Sequence, residues 1–377
     1  MKILSIETSC DETSVAVVEK KENSTSVEVL SNITATSLDL HAKTGGIIPE
    51  FAAREQIKAI IPTIVKALNE SASMDYESWE NAQKILQVDV DAIAVTYGPG
   101  LIGSLLVGVE TAKTLSLTFN KPLVPVNHLL GHIFANFIQD HSQDPKSKIK
   151  YPFVALIVSG GHTDLVYFES VDKYKWLGGT RDDAAGECFD KCARLLGYPY
   201  PGGPKIAELA SFGNAKNVPL PKIMTGDDFD FSFSGLKTAF MNVVNKEFSV
   251  ARKETENGYS WEKIDIENLP TQKKQLLFDL CASLQESIIE VLIRKTLKAA
   301  KFYNVNTILL GGGVSANQKL TEDLKEKIVK DKLPIEIFVP QKKYTMDNGA
   351  MIGAYALLSY KPVDWEKINA TPDLYFA

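Results

Sequence analysis

Two imidazoles four residues apart are the first sign of chemistry in this chain: His128 and His132, in the run Asn127-His128-Leu129-Leu130-Gly131-His132. On a helix, side chains at i and i+4 leave the same face with Cβ atoms roughly 5–6 Å apart, so both rings can reach one cation. The chain has five histidines in all, which makes a pair at that spacing informative. The plain alternative is a pair that faces water or caps a helix. The helical zinc-protease pattern adds Glu after the first His as general base; Leu129 stands there, which disfavours peptide hydrolysis by that route. Two ligands do not complete a site. Asp347, in Thr345-Met346-Asp347-Asn348-Gly349-Ala350, is the best candidate for a third. A borderline metal accepts two nitrogens and an oxygen and keeps positions open for substrate, whereas an Asp before a helix otherwise serves as its N-cap.

Small-residue turns carry a second kind of chemistry. Thr8–Ser14 and Ser159–Thr163 join paired apolar runs, and Gly98–Gly100 and Gly311–Gly313 open helix-like segments. Backbone N–H groups and helix N-termini attract anions, so four such turns point to a phosphate-bearing ligand, although each alone need only permit a tight turn. No GxxxxGK[ST] occurs, which excludes a P-loop. Gly98, Gly100 and Gly103 spell G-x-G-x-x-G, yet no acidic residue follows at the distance a dinucleotide ribose needs. Asp190 and Lys191 are candidates for ribose hydroxyls and a phosphate, against the alternative of a charged helix face. Tyr200-Pro201-Gly202-Gly203-Pro204 forces a turn whose bare backbone could lie against a flat ring.

The elements that must position these residues repeat. Residues 2–7 and 15–18 read as a hairpin, and 153–158 and 164–168 read as the same hairpin about 150 residues on. Residues 91–96 run through a glycine turn into a helix, and 306–310 do so again. Two similar α/β domains facing a central cleft follow. Residues 52–70 set Ile57, Ile60, Ile61, Ile64 and Leu68 at helical spacing, and 274–300 do so with Leu277, Cys281, Leu284, Ile288 and Leu292; both predict core-facing helices. Residues 138–150 read as a polar connector with His141 a loop residue, and 246–274 as charged surface.

At 377 residues the chain exceeds what one core usually serves, and 45% apolar residues can fill two. Four scattered cysteines make no disulfide framework, so packed, reduced thiols are expected. No apolar run approaches the roughly 20 residues needed to cross a bilayer, and the start reads as a strand rather than a signal peptide. A net charge of −6 argues against a generally basic surface, leaving any RNA contact to a local patch. Arg294 to Lys301 supplies positive charge but reads as a solvated helix face.

Taken together, IETSCDETS, GGIIPEFAAR, NHLLGH, VSGGHTDL, GECFDK, GGGVSANQ and TMDNGAM resemble, in order and across nearly the whole chain, the tRNA N6-adenosine threonylcarbamoyltransferase family, formerly labelled O-sialoglycoprotein endopeptidase. The overall character is most similar to its fungal mitochondrial branch. The resemblance implies two duplicated actin-like (ASKHA, RNase H-like) domains, 1–127 and 128–346, with 347–377 returning to the first. It implies that His128, His132 and Asp347 hold one divalent metal, zinc or iron. Ile157, Val158, Ser159, Gly160 and Gly161 would cradle the acyl-phosphate end of threonylcarbamoyl-adenylate, and Asp190, Gly203 and Asn317 its nucleotide portion, with ATP or AMP as related ligands. Asp11 and Glu12 would border the reacting centre. Gln56 departs from the His that bacterial relatives tend to carry after their ELASR-like segment.

The activity so implied is transfer of threonylcarbamoyl to N6 of adenosine 37 in tRNAs reading ANN codons, forming t6A and releasing AMP. The implied partners are tRNA, an upstream threonylcarbamoyl-adenylate synthase and a second copy of the chain. The implied address is the mitochondrial matrix, or the cytoplasm of a bacterium. An ATP-dependent phosphotransferase of the same superfamily and a noncatalytic scaffold are the competing readings, the latter opposed by retention of both His and Asp347.

Overall fold

The computed structural model describes residues 1–22, 26–37, 47–74, 77–139, 149–248, 252–255 and 258–376, with the backbone course alone at 252–255 and 258–261. His141 and most of the 138–150 connector lie outside the described residues.

Strand β1 (Lys2–Glu7) pairs antiparallel with β2 (Glu12–Glu19), as the alternating apolar runs predict. β2 pairs with β3 (Glu28–Thr36), and β1 pairs parallel with β4 (Ala92–Gly98), which pairs parallel with β5 (Leu123–Asn127). The sheet order is β3-β2-β1-β4-β5. The second sheet repeats it with β6 (Phe153–Val158), β7 (Thr163–Ser170), β8 (Lys173–Gly179), β11 (Thr307–Gly311) and β12 (Glu336–Phe338). Read from its other edge, that sheet runs β8-β7-β6-β11-β12, with the same parallel and antiparallel pairings in the same places. β9 (Arg252–Thr255) and β10 (Gly258–Trp261) form a separate hairpin within the stretch expected to be charged surface. The duplicated α/β architecture expected of an actin-like chain is the architecture observed.

Each strand sends alternate residues to opposite faces, and in the central strands both faces are buried. The outer face of the first sheet, with Leu4, Ile6, Val17 and Val95, is covered by α1 (Pro49–Ser71), α2 (Trp79–Val88) and α3 (Ile102–Phe119). The outer face of the second, with Val154, Leu156 and Leu310, is covered by α5 (Ala185–Leu195), α6 (Gly203–Ala210), α7 (Ser234–Phe248), α8 (Thr271–Phe302) and α9 (Gln318–Lys330). Between the sheets lie α4 (His128–Phe134) and α10 (Gly349–Leu358), packed on Ile3, Ala16 and Ala94 from one side and Phe153, Ala155 and Ile157 from the other. A helix apolar all round must be enclosed, and residues 349–357 are all buried.

The α8 residues expected in the core are buried there. In α1 the expectation holds for Ile60, Ile64 and Leu68, but Ile57 and Ile61 are 63% and 45% exposed. They stand about one residue's rotation from the inward stripe, on the side where α1 meets α3 at Gly103 and Ala53. Phe51, Ile102 and Leu106 are exposed on the same two helices.

Past α10 the chain returns to the first sheet, where Val363 N donates to Leu123 O and Thr371 N to Tyr97 O. Its last described residues then reach the second sheet through Tyr375, whose hydroxyl donates to Asp164 Oδ1. The four cysteines are free thiols, and three of them are buried. Among the described residues no helix is long and apolar enough to cross a membrane.

Candidate metal centre and ligand cleft

His128 and His132 occupy the first and fifth positions of α4, whose N-terminus Asn127 caps by accepting from Leu129 N at 2.8 Å. Their rings meet edge to face with centroids 4.6 Å apart, and the residues are 6% and 1% exposed. Asp347 is not a cap. Asn348 takes that duty for α10, accepting from Met351 N at 2.9 Å, which leaves the preceding carboxylate free to face α4. Asp347 Oδ1 lies 3.2 Å from His132 Nε2 and 3.6 Å from His128 Nε2. Gly131 allows the two helices to close in: a Cβ there would come within 2.8 Å of Ile352 Cδ1.

One ligand atom from each of the three residues lies within 4.8 Å of the others. Both ring nitrogens of His132 are buried without a hydrogen bond, because the carboxylate oxygen near Nε2 is in reach but not in hydrogen-bond alignment. Orphaned buried nitrogens are unfavourable unless something else bonds them. Two nitrogens and an oxygen converging on one point are the donor set of a divalent cation with open positions, and the residues fit zinc and iron alike.

Behind the pair stands Glu7, which sequence reasoning did not single out. Its Oε2 lies 3.0 Å from His128 Nδ1 and accepts from Thr96 Oγ1 at 2.5 Å, while Oε1 accepts from Ser9 N at 2.6 Å. A carboxylate on the far nitrogen fixes which ring nitrogen faces a metal. The signal was present: an ionisable residue ends a strand whose preceding residues, Ile3 to Ile6, are all buried. Burial opposes a charge on His128, but Glu7 and Asp347 outweigh it and raise the ring to about 9. The reciprocal attraction holds Glu7 and Asp347 below the ordinary carboxylate range in spite of burial.

The first hairpin tip lies against this group. Gln56, the departure noted in the sequence, donates to the carbonyls of Cys10 and Glu12 at 3.1 and 2.9 Å, so it fastens the tip. Burial, then the charges of Asp347, Asp11 and Glu7, push the Glu12 carboxyl up to about 8, and its Oε2 is buried without a partner. Asp11 is held by its carbonyl, which accepts from Ser37 Oγ at 2.8 Å.

The second tip borders a cleft of about 1330 Å³ whose walls include Gly160, Asp190, Gly203, Gln285, Asn317 and Met346. Met346 in that wall directly precedes Asp347 in the chain, while His128, His132 and Asp347 themselves do not line the cleft. A Cβ on Gly160 or Gly161 would meet nothing within 4 Å, and their backbone faces open space. Ile157 and Val158 are buried strand residues packed into opposite cores; they hold the turn and do not line the cleft. Asp190 Oδ1 accepts from Gly202 N and Gly203 N at 2.7 and 3.1 Å, which fastens the glycine turn at the cleft wall. Asn317 caps α9 through Leu320 N and donates to Gln285 Oε1 at 3.0 Å.

Three sequence expectations change. Lys191 is held by Asp183 and Glu187 at 2.6 and 2.8 Å, away from any phosphate role. Arg294 to Lys301 is not a solvated face: Lys295 is fully buried on Asp228, and Arg294 donates to the carbonyls of Ile223 and Met224. The third is the outward apolar stripe of α1. Gly98 and Gly100 of the G-x-G-x-x-G match make room for the backbone of Thr371 and Ser9.

The family model described as tRNA N6-adenosine threonylcarbamoyltransferase (TsaD) matches residues 28–354. The chain belongs to that family. A protein of that name from Clostridium kluyveri is 42% identical over 378 residues, covering 99% of this chain and 97% of the relative. Those of Syntrophomonas wolfei and Thermosipho africanus are each 41% identical, covering 99% and 96% of this chain and 97% and 95% of their own lengths. These family members are bacterial and do not speak for the mitochondrial branch. YeaZ from Pseudomonas aeruginosa aligns with 47% of this chain and 64% of its own at 15% identity and a TM-score of 0.27, which adds nothing to the fold argument.

Proposed function

We propose that this chain transfers threonylcarbamoyl from threonylcarbamoyl-adenylate to N6 of adenosine 37 in tRNAs that read ANN codons, with release of AMP. The observation that carries the reading is the convergence of His128, His132 and Asp347 on one point, with Met346, the residue before Asp347, in the wall of a cleft that also includes Gly160, Asp190, Gly203 and Asn317. The name borne by relatives at 41–42% identity over nearly the whole chain supports it.

A divalent cation held by His128, His132 and Asp347 would supply charge neutralisation and Lewis acidity at the acyl phosphate. The open backbone of Ser159-Gly160-Gly161 binds the acyl-phosphate end, with Ile157 and Val158 anchoring the turn from the strand. Asp190 holds Gly203 against the nucleotide, and Asn317 lies opposite across the cleft. Asp11 and Glu12 border the carbonyl under attack. The N6 amine is a weak nucleophile because its lone pair is shared with the purine, so much of the rate comes from holding it against the carbonyl. The N–C bond forms, the C–O bond to phosphate breaks, and AMP leaves with the electron pair.

The proposal extends to a homodimer. Phe51, Ile57 and Ile61 on α1 and Ile102 and Leu106 on α3 are exposed apolar residues on two helices that pack together. It also takes the two halves as 1–127 and 128–346, with 347–377 returning to the first, and a synthase as supplier of the adenylate. The compartment follows the lineage: matrix for an organellar enzyme, cytoplasm for a bacterial one. Reconstitution with threonine, bicarbonate, ATP, an adenylate-forming synthase and tRNA, scored as t6A by mass spectrometry of nucleosides, tests the reading. Product that requires this chain and disappears with His132→Ala supports it; phosphorylation of a small substrate with no t6A overturns it.

A further inference from the structure

Among the described residues, three polar residues in the wall of the cleft are more than nine-tenths buried: Gln285, Ser315 and Thr345, at 6%, 1% and 1% exposure. Ser315 Oγ donates to Gly312 O at 2.6 Å and Thr345 Oγ1 to Lys342 O at 2.9 Å, so both hydroxyl protons are spent inside the protein. Gln285 differs. Its Oε1 accepts from Asn317 Nδ2 at 3.0 Å, while among the described residues its Nε2 donates to nothing. Nor is that nitrogen sealed off, since the buried side-chain atoms left without a partner lie on other residues. It opens on the cleft that Gln285 lines.

The sense of that amide is dictated by its neighbours. The two ends of an amide differ in what they can bond, so a chain of donors and acceptors assigns both. Leu320 N–H can only donate, which places Asn317 Oδ1 against it, at 3.3 Å, at the start of α9. Asn317 Nδ2 is then the atom left for Gln285, and it too can only donate. Gln285 must answer with Oε1 and turn Nε2, with its two hydrogens, away from Asn317. A helix cap thus fixes the polarity of a side chain on another helix. Ala282, one turn before Gln285 on α8, lines the same cleft, as do Ala207 and Ala210 of α6, which packs against α8. Small apolar side chains with one directed donor among them suit a flat heterocycle that has apolar faces and an acceptor at its edge.

We propose that Gln285 is a specificity-determining residue whose Nε2 donates to a ring nitrogen of the adenine in threonylcarbamoyl-adenylate, with Asn317 as the positioning residue that holds the amide in that sense. The inference deepens the acyl-transfer reading and rests on its placing the nucleotide in this cleft. The ring nitrogens at positions 1, 3 and 7 are the in-plane acceptors of adenine, and a donor fixed in the wall selects one of them. A base that presents C–H or N–H at that edge leaves the amide unpaired in a largely buried site, and a site built to hydrogen-bond its ligand rejects such a base. The aliphatic stem of Gln285 is buried and its oxygen is already held, so little freedom is lost when the base arrives.

The test is calorimetric binding of AMP, the product of the proposed transfer, and of its 1-deaza, 3-deaza and 7-deaza analogues to metal-loaded protein. Each analogue exchanges one ring nitrogen for C–H and keeps the rest of the ligand. The wild type should bind one analogue about tenfold more weakly than AMP and the other two within about twofold of it. Gln285→Met keeps the reach of the side chain without a donor, so AMP affinity should fall about tenfold and the discrimination should disappear. Asn317→Asp still offers Leu320 N–H an oxygen but meets Gln285 with an acceptor; the amide then turns over, Oε1 faces the cleft, and discrimination should be lost with Gln285 itself untouched. That variant and the wild-type series decide the question even if Gln285→Met fails to fold. A wild type that binds AMP and all three analogues alike overturns the inference and leaves the acyl-transfer reading standing. Discrimination that survives in either variant also overturns it. A wild type that binds no AMP overturns both the placing of the nucleotide in this cleft and the role given to Gln285.

Discussion

Replacing Glu7 with Gln exchanges one oxygen for an NH2 and should cost the metal centre most of its affinity. In the native arrangement Oε1 accepts from Ser9 N, and Oε2 faces His128 Nδ1 and accepts from Thr96 Oγ1. A Gln amide has one oxygen and one NH2, and Ser9 N–H can only donate. If the amide oxygen stays with Ser9, the NH2 points at His128 Nδ1, which must then accept; the ring proton moves to Nε2, the atom that should hold the cation. If the amide is flipped, NH2 meets the Ser9 N–H in a site 1% exposed, and a buried unmatched donor costs about 1–3 kcal/mol. Either orientation weakens binding, and loss of such a second-layer partner typically lowers metal affinity about 10–100-fold, or about 1.4–2.7 kcal/mol. Competition with a chromophoric chelator, alongside a Tm of the metal-stripped protein to control for folding, measures the shift. Affinity within about twofold of wild type would refute the role given to Glu7.

Other outcomes follow from the same geometry. Gly160→Val finds open space in the fold, so Tm should hold while KM for the adenylate rises at least tenfold; a matching fall in Tm would mean the turn is merely structural. In metal-stripped protein His128 stands at about 9 against 6.5 when free, so its stabilisation is whole below pH 6.5 and gone above 9. Glu12, raised from 4.5 to about 8, loses its share between those values and so adds to the fall up to about pH 8, because its buried carboxyl must ionise beside Asp347, Asp11 and Glu7. Tm of the stripped protein should therefore fall between pH 6.5 and 9, and the gap to metal-loaded protein should widen; a flat profile contradicts the charge assignment. Ile57→Asp with Ile61→Asp should convert a dimer to a monomer in light scattering with Tm nearly unchanged, and a monomeric wild type would end the homodimer proposal.

The duplication was legible because its carriers are the central strands, where both faces are buried and apolar runs are unbroken. The edges were not. β3 is only partly buried along most of its length, β5 contains Pro125, and β12 has three residues, so none presents a clean period. The His pair was legible from spacing, but nothing in Thr345–Ala350 says that Asn348 takes the cap and spares Asp347. That division depends on where α10 begins. Lys191 shows the opposite failure: a basic residue beside a glycine segment reads as a phosphate ligand until Asp183 and Glu187 are found to hold it. In α1, periodicity found the apolar stripe but not its edge, since one extra column of isoleucine looks the same in sequence whether it faces the core or a partner.

The position of α4 and α10 has a mechanical meaning. The imidazoles lie on α4 and the carboxylate stands just before the cap of α10, two helices interlocked at Gly131 and enclosed by both sheets. A change in the spacing of the two outer helix layers would leave the coordination sphere unstretched. An ion seated there acts as a rivet through the spine of the molecule, and its departure would soften the structure from the inside outward.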